Sequence, residues 1–328
     1  MKPPAEFHGY ALGTTYTITA NHYEYYKELA KSPRVQHVIY GQSIQHRPLV
    51  QLIVSSEINL ARLEEIKANN RKLTRLNGPL PQSEKDALIK NTPAIIYIFI
   101  VDTDEEAGTE VLSEVAYDLA TREDTAAKSV RDNLVVIFSP LTNPDAHARY
   151  VTWNGLYDVK GASIDQNAVE NRAHWGMNTD GNAMGIDVNR DFSFFVTPEM
   201  SALGKAMMDW RPNLILDVHS GPNTHFIPPF SPPYHQLWPE KSYQWWVDVA
   251  EVAGKRFGEK GWSLFARNQF DGVTHVGFGL SWAMLGPSLS SFLFETFGGR
   301  PGRSTAFIRS DGTLATMRMA MDRHAEGT

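Results

Sequence analysis

The sequence predicts a single-domain α/β protein in which helices flank a central sheet that is mixed and largely parallel. Short apolar runs rich in β-branched residues, typical of buried strands, alternate with segments of helical periodicity. Strands and helices that alternate in this way pack as a parallel or mixed sheet covered by helices. The 328 residues show no internal repeat and no clear linker, so we expect one domain over 1–328.

Residues 1–93 are expected to form a lead-in of helices and one hairpin. An aromatic and apolar face at helical spacing opens this part, and two apolar runs separated by polar residues after Gly41 follow it. The predicted elements are a helix at 21–32, hairpin strands at 35–40 and 49–54, a basic amphipathic helix at 60–76 and a short helix at 83–89.

Residues 94–328 are expected to form the core that carries the functional site. Its first strand, 94–101, is bounded by Pro93 and leads through an acidic turn into a helix that ends near Leu119. Residues 149–187 lack a sustained period and are predicted as a long loop, which in a compact domain is usually functional or disordered. The other predicted elements are strands at 134–138, 213–218 and 289–294 and helices at 198–210 and 242–257.

Composition excludes several classes of protein. The net charge of −6 and the absence of a basic stripe argue against a nucleic-acid partner. No apolar run reaches the ~18 residues that a membrane span needs. The chain has no Cys, so any zinc must be bound by His and carboxylates. Its start lacks the apolar region of a signal peptide. A mature secreted chain with an added Met would look the same, and a secreted or periplasmic location is favoured over the cytoplasm.

Polar side chains follow three of the predicted strands. Four carboxylates lie within the five residues 102–106, His219 follows the strand at 213–218, and Glu295 follows the last one. Acidic residues at the start of a helix also suit the helix dipole, and a lone His is usually a satisfied buried side chain. The carboxyl ends of strands in an α/β sheet are, however, where ligands bind. Both interpretations remain open on these residues alone.

Other chemistries find no support in the sequence. It contains no HExxH helix, GxSxG turn, GxxxxGK[ST] loop or GxGxxG motif. An i, i+3 carboxylate pair with a distant His is a plausible set of three zinc ligands, and a carboxylate on a neighbouring strand could act as a general base. Nucleophile and cofactor chemistries are therefore disfavoured, and metal-assisted hydrolysis is favoured.

The order of these motifs resembles the zinc metallocarboxypeptidases of the carboxypeptidase A type. The resemblance covers nearly the whole chain, from a lead-in at 41–49 to the last strand. Each motif is weak alone, but five in the right order are fairly specific. They are Asp102-Thr-Asp-Glu105, Asn143-Pro-Asp-Ala146, Asn189-Arg-Asp-Phe192, Leu216-Asp-Val-His219-Ser and Phe294-Glu295-Thr.

The resemblance implies a role for each matching residue. It implies one Zn²⁺ held by Asp102, Glu105 and His219, and a general base at Glu295 that acts on metal-activated water. It further implies that Asn189 and Arg190 hold the terminal carboxylate of a peptide, a task that suits the planar fork of Arg190. Arg172, which precedes Asn189 by 17 residues, resembles the Arg that polarises the oxyanion.

Two departures from the family pattern stand out. Asp102 occupies the position of a His, so two carboxylates nearly cancel the charge of Zn²⁺ and weaken it as a Lewis acid; another divalent metal, or Asp104 as a competing ligand, then comes into question. No Tyr lies between Tyr243 and Glu295, where the family's substrate-covering Tyr would be, and His275 is the candidate replacement.

The leading hypothesis is a metal-dependent carboxypeptidase that removes C-terminal residues from peptides. One alternative keeps the fold but acts as an amidase on N-acyl amino acids or cell-wall peptides. Another is a non-catalytic binding protein that keeps the pocket without turnover, and the presence of Asp102 motivates it. Metal content and assays on small peptides distinguish the three. The sequence gives neither the side-chain preference nor the oligomeric state.

Overall fold

A computed structural model describes residues 1–74, 78–157, 164–165, 168, 181–192, 194–221, 225–226, 240–265, 291–297, 305–308 and 312–328. Its helices are α1 (Pro4–His8), α2 (Thr19–Leu29), α3 (Glu57–Leu60), α4 (Leu63–Leu73), α5 (Gln82–Asn91), α6 (Glu106–Thr121), α7 (Thr125–Asn133), α8 (Pro144–Tyr157), α9 (Pro198–Trp210), α10 (Glu240–Glu259) and α11 (Met317–Gly327). Its strands are β1 (Val35–Gln42), β2 (Pro48–Val54), β3 (Ala94–Phe99), β4 (Leu134–Ser139), β5 (Leu214–Gly221), β6 (His225–Phe226), β7 (Leu264–Phe265), β8 (Ser291–Phe297), β9 (Ala306–Ile308) and β10 (Leu314–Thr316).

The main sheet confirms the predicted α/β architecture. Within the described residues its strand order is β1-β2-β4-β3-β5-β8-β6-β7. The centre, β4-β3-β5-β8, is parallel, whereas the β1–β2, β2–β4 and β6–β8 pairs are antiparallel. The strands β9 and β10 form a separate antiparallel pair. The parallel centre brings the carboxyl ends of β3, β5 and β8 to one edge, which is what positions the site.

Each face of the sheet carries its own apolar core. One core includes Tyr25 of α2, Val111 of α6 and Met321 of α11, all fully buried. The core of the opposite face includes Ile66 of α4 and Met200 of α9. Because β3 and β4 are covered on both faces, they are apolar along nearly their whole length, as parallel strands usually are. No helix in the described part of the chain is long and apolar enough to cross a membrane.

Helix α6 approaches the sheet closely at Gly108. A Cβ built on Gly108 would lie 2.5 Å from Cδ1 of Ile100 and 3.0 Å from Cγ1 of Val218. A larger residue at this position would therefore push the first turn of α6 away from β5. Glu105, which immediately precedes α6, would move with it.

The prediction of a loop over 149–187 was wrong at its start, because α8 continues to Tyr157. Pro144 opens this helix, and the side chain of Asn143 accepts a hydrogen bond from the Ala146 N–H at 3.3 Å. Among the other helices that were not predicted, α7 and α11 each have a side-chain cap. Asp124 accepts from the backbone of α7, and Thr316 does so for α11.

Candidate metal centre

The site lies at the edge of the sheet where three parallel strands end. In the sheet register, Phe99 of β3 pairs with Asp217 of β5, and His219 of β5 pairs with Glu295 of β8. Asp102 lies just beyond β3, after Ile100 and Val101. A turn closed by the Glu105 N–H donating to the Asp102 carbonyl, at 2.9 Å, then carries Glu105 into the start of α6. The chain thus delivers polar side chains from three strands to one place, where α/β sheets bind ligands.

Three of these side chains converge on a point. Asp102, Glu105 and His219 each offer one donor atom, and the three atoms lie within 4.8 Å of one another. His219 Nδ1 is 3.1 Å from Glu105 Oε2 and 3.3 Å from Asp102 Oδ2. All three residues are at most 5% exposed. Among the residues that the structure describes, no second group of this kind occurs.

Each converging side chain is held by a partner of its own. The Asn189 amide Nδ2 donates to Asp102 Oδ2 at 2.8 Å. Glu105 accepts a hydrogen bond from the backbone N–H of Ser220. The far nitrogen of the imidazole, His219 Nε2, lies 2.9 Å from Asp217 Oδ2. The imidazole therefore presents Nδ1 to the two carboxylates, and partners of this kind orient the ligands in metal sites.

Burial and mutual charge shift the pKa values in the cluster. Burial raises the pKa of Glu105 well above its usual range; the hydrogen bond from His219 opposes this, and Asp102 and Glu295 add to it. Burial also raises the pKa of Asp217 to about 6, against the pull of His219. For His219, burial would lower the pKa, but Asp217, Asp102 and Glu105 outweigh it and raise it well above the usual value. The buried carboxyls are thus costly to ionise without a positive charge beside them.

The residues present fit a divalent cation. Asp102 Oδ1 is buried and has no hydrogen-bond partner among the described residues, which is costly unless a cation or donor approaches it. One imidazole nitrogen and two carboxylates are ligand types that zinc accepts in catalytic sites, where three protein ligands leave a position open. A cation would also take over the charge that the His219 proton supplies.

A comparison with models of protein families identifies the family of this chain. A family model described as zinc carboxypeptidase matches residues 22–247. The chain belongs to the zinc carboxypeptidase family. This confirms the resemblance found in the sequence, although Glu295 lies beyond the matched region. No curated protein sequence gives a significant match.

Solved structures share the fold at low sequence identity. The metallo-carboxypeptidase of Burkholderia cenocepacia aligns at 13% identity and a TM-score of 0.57, covering 94% of this chain and 66% of its own. Carboxypeptidase A of Helicoverpa armigera aligns at 17% identity and TM-score 0.60, covering 98% and 76%. The Pseudomonas aeruginosa metallo-carboxypeptidase in complex with (2-guanidinoethylmercapto)succinic acid aligns at 13% identity and a TM-score of 0.60. The alignment covers 94% of this chain and 66% of that structure. This chain therefore spans about two thirds of the two bacterial structures.

The other predicted site residues have different outcomes. Asn189 and Arg190 lie in a short 3₁₀ turn, Val188–Arg190, whose N-cap Asp187 accepts from the Asn189 N–H at 2.9 Å. Arg190 is exposed, and Asn189 points to Asp102. Asp104 is buried but is not one of the converging donors. Arg172 and His275 lie outside the described residues, so their predicted roles stay predictions.

Sequence reasoning missed Asp217 as part of the site. The signal was available, because residues two apart on a strand point to the same face, so Asp217 and His219 had to lie together. The sequence also gave no role to Arg149. Its guanidinium donates from Nη2 to the Gly181 carbonyl at 2.6 Å and from Nη1 to the Asn182 carbonyl at 3.3 Å. Arg149 thereby anchors the segment that leads to the 3₁₀ turn.

Proposed function

We propose that this member of the zinc carboxypeptidase family is a metal-dependent peptidase that removes C-terminal residues. The observation that supports it most is the convergence of Asp102, Glu105 and His219 within 4.8 Å. Glu295 stands beside His219 on the next parallel strand, so a carboxylate outside the ligand set is available at the same edge. A ligand triad with a neighbouring carboxylate is the arrangement that metal-assisted hydrolysis needs.

Each residue has a defined task in this proposal. Asp102, Glu105 and His219 would hold a zinc ion, which when bound polarises a carbonyl and acidifies water. Glu295 would accept the proton of the attacking water and pass it to the leaving amine, as a general base and then a general acid. Because Asp102 adds a second negative charge to the ligand set, the centre would be a weaker Lewis acid than one with two imidazoles. Another divalent metal is consistent with the same set.

We assign substrate recognition to cationic side chains, which attract the free carboxylate of a peptide. Arg190 is exposed on the 3₁₀ turn next to Asn189, and its fork suits a terminal carboxylate. An acidic pocket without such a cation would repel the free carboxylate of a peptide. Arg172 would stabilise the oxyanion, and His275 would cover the substrate in place of a Tyr.

A second candidate is a non-catalytic protein that keeps the pocket for binding, which the substitution of Asp102 for a His favours. Metal analysis and a peptide assay separate the two functions. For the peptidase we expect about one divalent ion per chain and cleavage of free-acid peptides in preference to their C-terminal amides. Binding of peptides without turnover would favour the second candidate. Equal rates on acid and amide would favour an amidase, and absence of bound metal after zinc loading would refute the metal centre.

The compound (2-guanidinoethylmercapto)succinic acid, which the Pseudomonas structure contains, is a useful probe. Its succinate part carries carboxylates that Arg190 and a bound metal could both attract. If it protects the zinc-loaded chain against thermal unfolding and does not protect an Arg190→Ala variant, the carboxylate role of Arg190 is supported. Equal protection of the parent and of the Arg190→Ala variant would show that Arg190 does not bind the carboxylate.

A further inference from the structure

Asp102 is the residue at which this chain departs from the family pattern, and the structure shows what surrounds it. Its Oδ2 accepts from Asn189 Nδ2 at 2.8 Å, while its Oδ1 is buried without a hydrogen-bond partner among the described residues. The oxygen that lies 3.3 Å from His219 Nδ1 is thus anchored by Asn189, and Oδ1 has no hydrogen bond among the described residues that would compete with a cation. Such an anchor fixes the rotamer of a metal ligand and limits the entropy that binding must remove.

The backbone makes Asn189 a rigid donor. Its N–H donates to the carboxylate of Asp187 at 2.9 Å, and its carbonyl accepts from Arg190 Nη1 at 3.2 Å. Gly181 and Asp187 form an isolated bridge that closes the segment before the turn, and Arg149 binds the carbonyl of Gly181. The amide of Asn189 is therefore held in place from both sides of the turn.

The other polar side-chain atom of Asn189, its Oδ1, is buried and has no hydrogen-bond partner among the described residues. An amide that holds a substrate carboxylate would have to direct its NH2 group to the open pocket. Here the donor end is instead committed to a ligand carboxylate. The charge of Asp102 explains this polarity, since a carboxylate accepts hydrogen bonds and cannot donate them.

We propose that Asn189 is a positioning residue for the metal centre, whose amide holds Asp102 in the orientation that binds the cation. This inference rests on the proposed metal site. It replaces the role that the family resemblance gave to Asn189, which was to hold the terminal carboxylate of the substrate. Asn189 and Asp102 then form a matched pair, in which a donor at 189 requires an acceptor at 102.

The test is the dissociation constant for Zn²⁺, measured by competition with a chromophoric chelator on protein stripped of metal. Asn189→Ala should raise this constant by about 10–100-fold, the usual effect of losing a partner that orients a metal ligand. Asn133→Ala is the control, because the Asn133 amide donates to the Ser129 carbonyl within its own helix. Circular dichroism of the metal-free variants checks that each one folds.

A swap of polarity gives a second, independent test. Asn189→Asp places a carboxylate against Asp102 and should weaken zinc binding at least as much as Asn189→Ala. In the Asp102→His background the same Asn189→Asp change should tighten zinc binding, because an imidazole N–H donates to a carboxylate. If Asn189→Asp changes the zinc dissociation constant in the same direction in both backgrounds, Asn189 and Asp102 are not a matched pair.

The outcomes separate this inference from the proposed function. If the parent chain binds no zinc, the metal centre itself is refuted. If the parent binds zinc and Asn189→Ala leaves the dissociation constant within about twofold, far below the effect expected of an orienting partner, only the role of Asn189 fails. If Asn189→Ala raises KM for free-acid peptides and leaves the zinc dissociation constant unchanged, Asn189 binds the substrate and does not position the metal ligand.

Discussion

Glu110 gives a prediction about stability that does not depend on catalysis. It lies on α6, one turn beyond Glu106, and is fully buried. Oε1 of Glu110 accepts from the Thr17 N–H at 2.7 Å, and Oε2 accepts from the Thr17 hydroxyl at 2.9 Å. Oε1 also lies 3.9 Å from His22 Nε2. Burial raises the pKa of Glu110 from 4.5 to about 8, against the opposing hydrogen bond from the Thr17 backbone.

The sign and size of the effect follow from this pKa. A carboxyl whose pKa is higher in the folded state stabilises the fold below its unfolded pKa, and this contribution is lost as the pH rises through the folded value. At about 1.4 kcal/mol per pH unit, we expect Glu110 to remove about 2 kcal/mol from the free energy of unfolding between about pH 6.5 and pH 8.5. The buried His147 belongs to the same cluster, and burial lowers its pKa to about 4. Its opposing effect falls mainly below about pH 6.5, so it does not obscure this window.

The perturbation is Glu110→Gln, which imitates the protonated acid with one donor and one acceptor. Urea unfolding at about pH 6.5 and at about pH 8.5, with a chelator present, gives the free energies. The variant should gain about 2 kcal/mol relative to the parent across this interval. Glu24→Gln is the control, since Glu24 is exposed on α2 and pairs with Lys27 one turn along the same helix. A difference between Glu110→Gln and parent that does not change with pH would refute a protonated Glu110.

Three further predictions concern the site and its support. Gly108→Ala should destabilise the fold by about 1–3 kcal/mol by overpacking and should weaken zinc binding. Gly155→Ala, in open space on α8, should instead stabilise it by roughly 0.5–1 kcal/mol, as thermal unfolding of both will show. Asp217→Asn should raise the zinc dissociation constant by about 10–100-fold, and an unchanged constant would separate Asp217 from the metal site. Arg190→Ala should raise KM for free-acid peptides by about 10-fold or more with little change for amides, because a lost charged hydrogen bond costs ~1.5–3 kcal/mol; a parallel rise for both would contradict a carboxylate clamp.

The strands and the sheet edge could be predicted because their signals are local. The apolar runs before Asp102, His219 and Glu295 have the length and composition of buried strands, and parallel strands bring their carboxyl ends together. The helix at Pro198–Trp210 was predicted with its observed ends, since Pro stands in its first turn and Thr197 caps it. The convergence of the three donors followed from this architecture and from the family resemblance.

The contacts that hold the donors could not be predicted in the same way. Asn189 and Asp102 are separated by 87 positions, and no periodicity indicates which atom of a distant amide meets which carboxylate oxygen. The helix α8 was missed because its apolar residues do not form a clear stripe. Only Asn143 and Pro144 at its start indicated a helix. Arg172 and His275, outside the described residues, still rest on the resemblance alone.

Glu295 is the proposed general base, so substituting it tests whether the centre performs catalysis. It is partly buried on β8, in register with His219, and it contributes to the raised pKa of Glu105. It is therefore close enough to influence the cluster electrostatically, yet it is not one of the three converging donors. A carboxylate in that position can act on water beside a metal without occupying a ligand site.

Glu295→Gln keeps the size of the side chain and removes its capacity to take a proton. If Glu295 is the base, kcat should fall by about 10²–10⁴-fold while the zinc dissociation constant stays within a few-fold of the parent value. A loss of zinc together with activity would instead identify Glu295 as a fourth ligand. Unchanged turnover would show that another group accepts the proton. Peptide binding without turnover in the zinc-loaded parent, unaltered by the substitution, would mean that the chain has kept the family's pocket and given up its chemistry. Because zinc affinity and turnover are measured on the same protein, these results distinguish a general base, a fourth metal ligand and a residue with no part in turnover.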